Sequence, residues 1–124
     1  MASKRIARLN EQLKRELSEL IRRDVRDPRV GLVTVTGVDV AGDLGSARVY
    51  IRTIDRVEDF EDTLAGLTAA APFLRRELGQ LLHIRRVPEL RFQRDHSFER
   101  AQRIEEILAD VIDPSDDEAD EGTE

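Results

Sequence analysis

The stretch from Phe60 to Leu82 limits the fold more than any other part of the chain. Its apolar residues Phe60, Leu64, Leu67, Ala71, Leu74, Leu78 and Leu81 fall three or four apart throughout. That is one face of an α-helix held for about six turns. Pro72 sits in the middle of it. A proline inside a helix has no N–H to give, and its ring presses on the carbonyl four residues back, here that of Thr68, at a cost of about 3 kcal/mol. In the first turn of a new helix the same residue costs almost nothing. Two helices, about 58–70 and 72–82, meeting at a kink in Ala69-Ala70-Ala71-Pro72, reconcile pattern and proline. The alanines leave the backbone open to close approach by another surface, and Arg75 and Arg76 follow directly.

The remaining elements can be read around this pair. Ser3 caps a first helix whose apolar positions Ile6, Leu9, Leu13, Leu17, Leu20 and Ile21 keep helical spacing. It ends near Asp24, because Pro28 biases Asp27 toward an extended conformation. Gly31 to Val40 is rich in β-branched residues and predicts a strand. Its apolar phase moves by one residue at Gly37, from Val33 and Val35 to Val38 and Val40, which predicts a β-bulge. Ala41 to Ser46 is a turn. Ala47 to Ile54 then alternates, with Ala47, Val49 and Ile51 on one face and Arg48, Tyr50 and Arg52 on the other. The two strands form an antiparallel hairpin, helices covering one face and water the other. A third strand opens at Pro88, with Leu90 and Phe92 inward, and Ser97 caps a short last helix carrying Phe98, Ala101, Ile104, Leu108 and Val111 on one side. The order α-β-β-α-kink-α-β, with that C-terminal helix added, is an α+β sandwich of two layers.

Charge divides the 124 residues into two expected units: a folded domain over 1–112 and a disordered acidic tail over 113–124. The tail carries seven of the 26 acids and no base, which accounts for the net charge of −6. The body holds 20 basic and 19 acidic side chains, unevenly spread. Residues 1–30 have nine Lys/Arg against five acids and 75–94 have six against two, whereas 39–62 have three against seven. Basic ends around an acidic middle suit a polyanion-binding face on a small domain. The charged first ten residues contain no apolar stretch, and no run approaches the length of a membrane span. The expectation is a cytoplasmic protein with no membrane partner.

The inventory for catalysis is empty. Without cysteine there is no thiolate nucleophile or thiolate metal site. His83 and His96 lack ligand partners at helical spacing, and no glycine-rich phosphate cradle occurs. Acids such as Glu61 and Asp62 open a helix and favour its macrodipole. No catalytic residue, metal or cofactor is expected.

Several motifs then converge. Asp27-Pro28-Arg29-Val30, Val35-Thr36-Gly37-Val38 leading into Asp43-Leu44, and Ala47-Arg48-Val49-Tyr50-Ile51 resemble the ribosome-binding factor A family. So do Phe73-Leu74-Arg75-Arg76-Glu77-Leu78, Arg85-Arg86-Val87-Pro88-Glu89-Leu90-Arg91-Phe92 and Asp95-His96-Ser97, and the likeness runs over residues 3–110. The resemblance implies a KH-like domain of the bacterial type. It also implies a non-enzymatic factor that binds free 30S subunits and 16S rRNA, assists late maturation and 5′-end processing, supports growth in the cold, and is released with a GTPase. It departs at one place. Where the family has an Ala-x-Gly kink this chain reads Ala70-Ala71-Pro72, so the expected kink has lost a permissive glycine and an N–H.

That loss moves the expected phosphate contacts to the arginines nearby. Arg75, Arg76, Arg85 and Arg86, with Lys4, Arg5 and Arg8 on the first helix, form the expected RNA-binding set, to which Arg22, Arg23, Arg26 and Arg29 add. Guanidinium forks suit phosphate oxygens, and such contacts position a protein without reading sequence. Specificity would then come from RNA shape. The expected state is a monomer. A second reading makes the chain a protein-interaction module that docks through the open sheet face, Arg48, Tyr50, Arg52 and Arg91, without RNA contact.

Overall fold

A computed structural model describes residues 3–54 and 59–111. The expected acidic tail and Glu58, the start foreseen for the second helix, lie outside those residues. The order is α1 (Lys4–Asp24), β1 (Val33–Val40), β2 (Ser46–Thr53), α2 (Phe60–Leu82), β3 (Glu89–Arg94) and α3 (Ser97–Val111). This is the two-layer α+β, KH-like arrangement expected, with α1 and α2 on one face of a three-stranded sheet. The strands lie in the order β1-β2-β3, with β1 antiparallel and β3 parallel to the central β2.

Each element follows from its residues. Ser3 caps α1, its Oγ accepting from the Ile6 N–H at 3.1 Å. Leu13, Leu17, Leu20 and Ile21 are buried on the inward stripe of α1. They meet Val35, Val49, Ile51, Leu67, Leu74 and Leu78 in a single core. Burying each such side chain is worth about 1.5–3 kcal/mol, so the core rather than helix propensity holds the layers together. The bulge appears where the phase change placed it. Val35 pairs with Ile51 and Gly37 with Tyr50, leaving Thr36 as the extra residue.

One expectation is corrected. The two helices foreseen at Pro72 are a single helix, and Ala69 to Pro72 lie inside it. Pro72 still gives no N–H to Thr68. However, one buried stripe of Phe60, Thr63, Gly66, Leu67, Leu74 and Leu78 runs along both sides of it, and that packing outweighs the local cost. The helix ends at His83, whose φ of 56° is left-handed and whose N–H returns to the Gly79 carbonyl.

The Asp27-Pro28-Arg29-Val30 turn is anchored to the first half of α2. Thr63 Oγ1 donates to the Arg29 carbonyl at 3.2 Å. A Cβ on Gly66 would stand 2.9 Å from Val30 Cγ2, so only glycine lets the turn come this close.

Candidate nucleic-acid interface

The topology sorts the expected cations to two ends of the sheet. The Asn10 side-chain oxygen accepts from the Val40 N–H at 2.9 Å, which sets the first half of α1 beside the end of β1. β3 begins beside the same hairpin turn, its Glu89 N–H donating to the Gly45 carbonyl at 3.0 Å. α2 arrives there too, since only residues 83–88 separate it from β3. Lys4, Arg5 and Arg8, the last turns of α2 with Arg75 and Arg76, and the Arg85-Arg86 segment therefore belong to one end. Arg22, Arg23, Arg26 and Arg29 belong to the other, where the last turns of α1 lie along Val33 to Val35.

At the first end the cations are exposed. Lys4, Arg5, Arg8, Arg85 and Arg86 have no acid partner among the described residues. Arg75 is engaged differently. Its Nη2 donates to the Val87 carbonyl at 2.7 Å, tying α2 to the segment that carries Arg85 and Arg86. Arg76 lies over the Phe73 ring at 5.9 Å from its centre, which leaves its donors outward. Sequence reasoning gave Arg75 and Arg76 equal roles as phosphate ligands. In the structure Arg75 supports the neighbouring pair, a distinction that sequence spacing does not carry.

At the second end most of the charge is already paired. Arg22 meets Glu19 at 2.7 Å, Arg23 meets Asp24 at 3.3 Å, and Arg29 meets Asp27 at 2.6 Å. The Asp27 carboxylate also accepts from the Arg29 N–H, and Arg29 holds its pKa down to about 2. Exposed pairs like these add little stability, but they occupy guanidinium forks that would otherwise face phosphate.

Ala70 and Ala71 are half-buried and Pro72 is exposed on the outer side of α2. No metal-ligand cluster of three or more His, Cys, Asp or Glu occurs among the described residues, and no described helix is long and apolar enough to cross a membrane.

The open sheet face holds a feature that sequence reading missed. Gly37, Tyr50 and Gln93 lie side by side in register across β1, β2 and β3. They form the floor of a cleft of about 470 Å³, walled by Asp95, Ser97 and Arg100 where α3 begins. Asp95 fixes that wall. Its carboxylate accepts from the Thr36 hydroxyl at the bulge and, at 2.8 Å, from the Ser97 N–H. Both bonds, that from Thr36 foremost, hold its pKa below the usual carboxylate range. Thr36-Gly37 and Asp95-His96-Ser97 were separate motifs in the sequence. Only the parallel pairing of β3 with β2 brings them together.

Comparison with known proteins identifies the family. The family model described as ribosome-binding factor A matches residues 5–108. A ribosome-binding factor A from Desulfitobacterium hafniense (strain DSM 10664 / DCB-2) is 43% identical over 122 residues, 98% of this chain and 96% of its own. One from Pseudomonas entomophila (strain L48) is 46% identical over 110 residues, 87% of this chain and 83% of its own. Among solved structures, the crystal structure of ribosome-binding factor A from Thermus thermophilus aligns with a TM-score of 0.67 at 33% identity, covering 74% of this chain and 97% of its own. A homology model of the Thermus thermophilus factor, fitted into a cryo-electron microscopy map of a 30S complex, aligns at 0.56 and 31% identity over 70% of this chain and 91% of its own.

Proposed function

Because the chain belongs to the ribosome-binding factor A family, we propose that it binds the free small ribosomal subunit through 16S rRNA and assists its late maturation and 5′-end processing. The observation that carries this reading is the end of the sheet where Lys4, Arg5, Arg8, Arg85 and Arg86 are exposed without acid partners among the described residues. Folded RNA offers closely spaced phosphates, and unpaired guanidinium groups are the side chains best suited to them. The Arg75 bond to the Val87 carbonyl supports the reading, because it limits the freedom that Arg85 and Arg86 would lose on binding. The Thermus thermophilus factor fitted into a 30S complex supports the choice of particle.

On this reading the protein acts by binding, without catalysis and without a cofactor. It works as a cytoplasmic monomer, leaves the subunit with the help of an assembly GTPase, and matters most in the cold, when rRNA helices rearrange slowly. Residues 1–112 form the working domain, and the acidic segment 113–124 lies beside it in sequence.

Co-sedimentation with free 30S subunits and with 70S ribosomes tests the proposal. The wild-type chain is expected to pellet with free subunits and not with 70S ribosomes, and Arg85→Glu/Arg86→Glu is expected to lose the pelleting. Equal pelleting of the two proteins with 30S would remove this end of the sheet as the binding site.

A further inference from the structure

We propose that the cleft on the open sheet face receives one unpaired nucleobase of single-stranded RNA, stacked on Tyr50. The site is separate from the cationic end of the sheet, and the proposal rests on the reading that the partner is RNA. Four observations carry it.

Tyr50 points to the sheet face opposite α1 and α2, since its neighbours Val49 and Ile51 are buried on the other. It is the only tyrosine, the chain has no tryptophan, and two of the phenylalanines, Phe60 and Phe92, are buried in the core. Tyr50 stands beside a residue without a side chain, a Cβ on Gly37 lying 3.8 Å from its ring Cδ2. A larger residue at the bulge would fill the cleft. Its volume, about 470 Å³, falls in the range of small-molecule sites, roughly 300–1,000 Å³.

The polar groups around that ring match a nucleotide. Gln93, next to Tyr50 in register, offers both a donor and an acceptor to a base edge. Arg100 on the wall has no acid partner among the described residues and suits the phosphate that accompanies the base. The Asp95 carboxylate is locked in place by Thr36 and Ser97 and keeps lone pairs for further donors. It therefore favours bases that present an amino group, cytosine, adenine or guanine, over uracil. A duplex buries its base faces and cannot enter; splayed single strands present them to aromatic rings.

The lone tyrosine makes the test specific. The full chain labelled with ¹³C-tyrosine gives one set of ring signals, which is followed by NMR during titration with short oligocytidylate, oligoadenylate, oligouridylate and a blunt RNA duplex. The expected result is a saturable ring-current shift with the single strands, weakest for oligouridylate, and none with the duplex. By anisotropy of labelled single strands, Tyr50→Leu is expected to bind roughly 5- to 100-fold more weakly, while Tyr50→Phe binds nearly as well as wild type. Arg100→Ala, at the edge of the cleft, is expected to fall between them and to melt like wild type. The Tyr50 shift should persist in Arg85→Glu/Arg86→Glu, because the cleft is a separate site. Absence of the wild-type shift with every single strand, or an equal shift with duplex, overturns the proposal. If 30S pelleting is still seen, the subunit reading stands and the cleft alone is withdrawn; if neither is seen, both fall.

Discussion

The two ends of the sheet carry arginines in comparable number and dispose of them in opposite ways. At the end where the β1–β2 turn meets the start of β3, Arg85 and Arg86 are exposed without acid partners among the described residues, as are Lys4, Arg5 and Arg8. At the other end Arg22, Arg23 and Arg29 are held by Glu19, Asp24 and Asp27. The pairing partners are one to three residues away in sequence, so the second end neutralises most of its charge locally, with Arg26 alone of its four arginines lacking an acid partner among the described residues. The first end draws its cations from α1, α2 and the segment before β3, and none of Lys4, Arg5, Arg8, Arg85 and Arg86 forms an ion pair among the described residues. Counting basic residues treats the ends alike; the fold does not. A polyanion gains most where it replaces water, and least where it must first displace a carboxylate.

The largest effect expected is on salt dependence. If about five phosphates are neutralised, the log–log slope of 30S affinity against salt is roughly −3.5 to −4.5. Raising monovalent salt from about 50 to about 200 mM should then weaken binding on the order of 100-fold or more. Arg85→Glu/Arg86→Glu should flatten the slope, and Arg22→Glu/Arg23→Glu should leave it nearly unchanged. Filter binding across a salt series reads both, and equal flattening by the two variants would break the contrast between the ends.

Gly66→Val tests the paired end as a packing site. The new side chain starts 2.9 Å from Val30 Cγ2 and 3.4 Å from Arg29 Cβ, and overpacking of this kind costs about 1–3 kcal/mol. Urea denaturation should show that loss, while the folded protein keeps wild-type affinity for 30S. Lost affinity at full stability would mean that the 27–30 turn touches RNA after all.

His83→Gly does the opposite at the cationic end. His83 sits at φ 56°, where glycine carries no Cβ penalty. The variant should be more stable by about 0.5–1 kcal/mol in urea titration, with the Arg85-Arg86 segment still tied to Arg75. Unchanged or lower stability would show that the imidazole itself adds to stability, beyond the backbone cap that glycine keeps.

What the sequence revealed of the fold follows from the range of the forces involved. Helical spacing, the Ser3 cap and the bulge at Gly37 are set by neighbours a few residues apart, and each could be read from the chain. The break expected at Pro72 also came from local energetics, and there it misled. The buried stripe on both sides of the proline outweighs the cost of one missing N–H, and that stripe has value only once the sheet lies beneath it. The candidate site divides the same way. Residue types pointed to arginines, but which of them are paired depends on side-chain geometry. The service of Arg75 to the Val87 carbonyl depends on the return of the chain after α2. The cleft at Tyr50 needed the register of three strands, of which β3 joins by a parallel pairing that periodicity leaves unspecified.

The smallest effect expected is the most direct on the pairing itself. The folded pKa of Asp27, about 2, lies below its unfolded value of roughly 3.9. Its pair with Arg29 therefore contributes stability that is present above about pH 4 and is lost as pH falls through about 2. The carboxylate is exposed, so the contribution is small. Asp27→Asn keeps an oxygen for the Arg29 N–H and removes only the charge. In urea titrations the gap between wild type and variant should be constant near neutral pH and close toward pH 2; a gap that stays open there would assign the effect to shape rather than charge. The same variant leaves Arg29 unpaired. If pairing is what keeps this end away from phosphate, its affinity for unrelated RNA at low salt should rise, by less than about threefold for one charge near a solvated surface. No rise would mean that the position of Arg29 beside α2, rather than its carboxylate partner, withholds it from RNA, and the two ends would then differ in shape before they differ in charge.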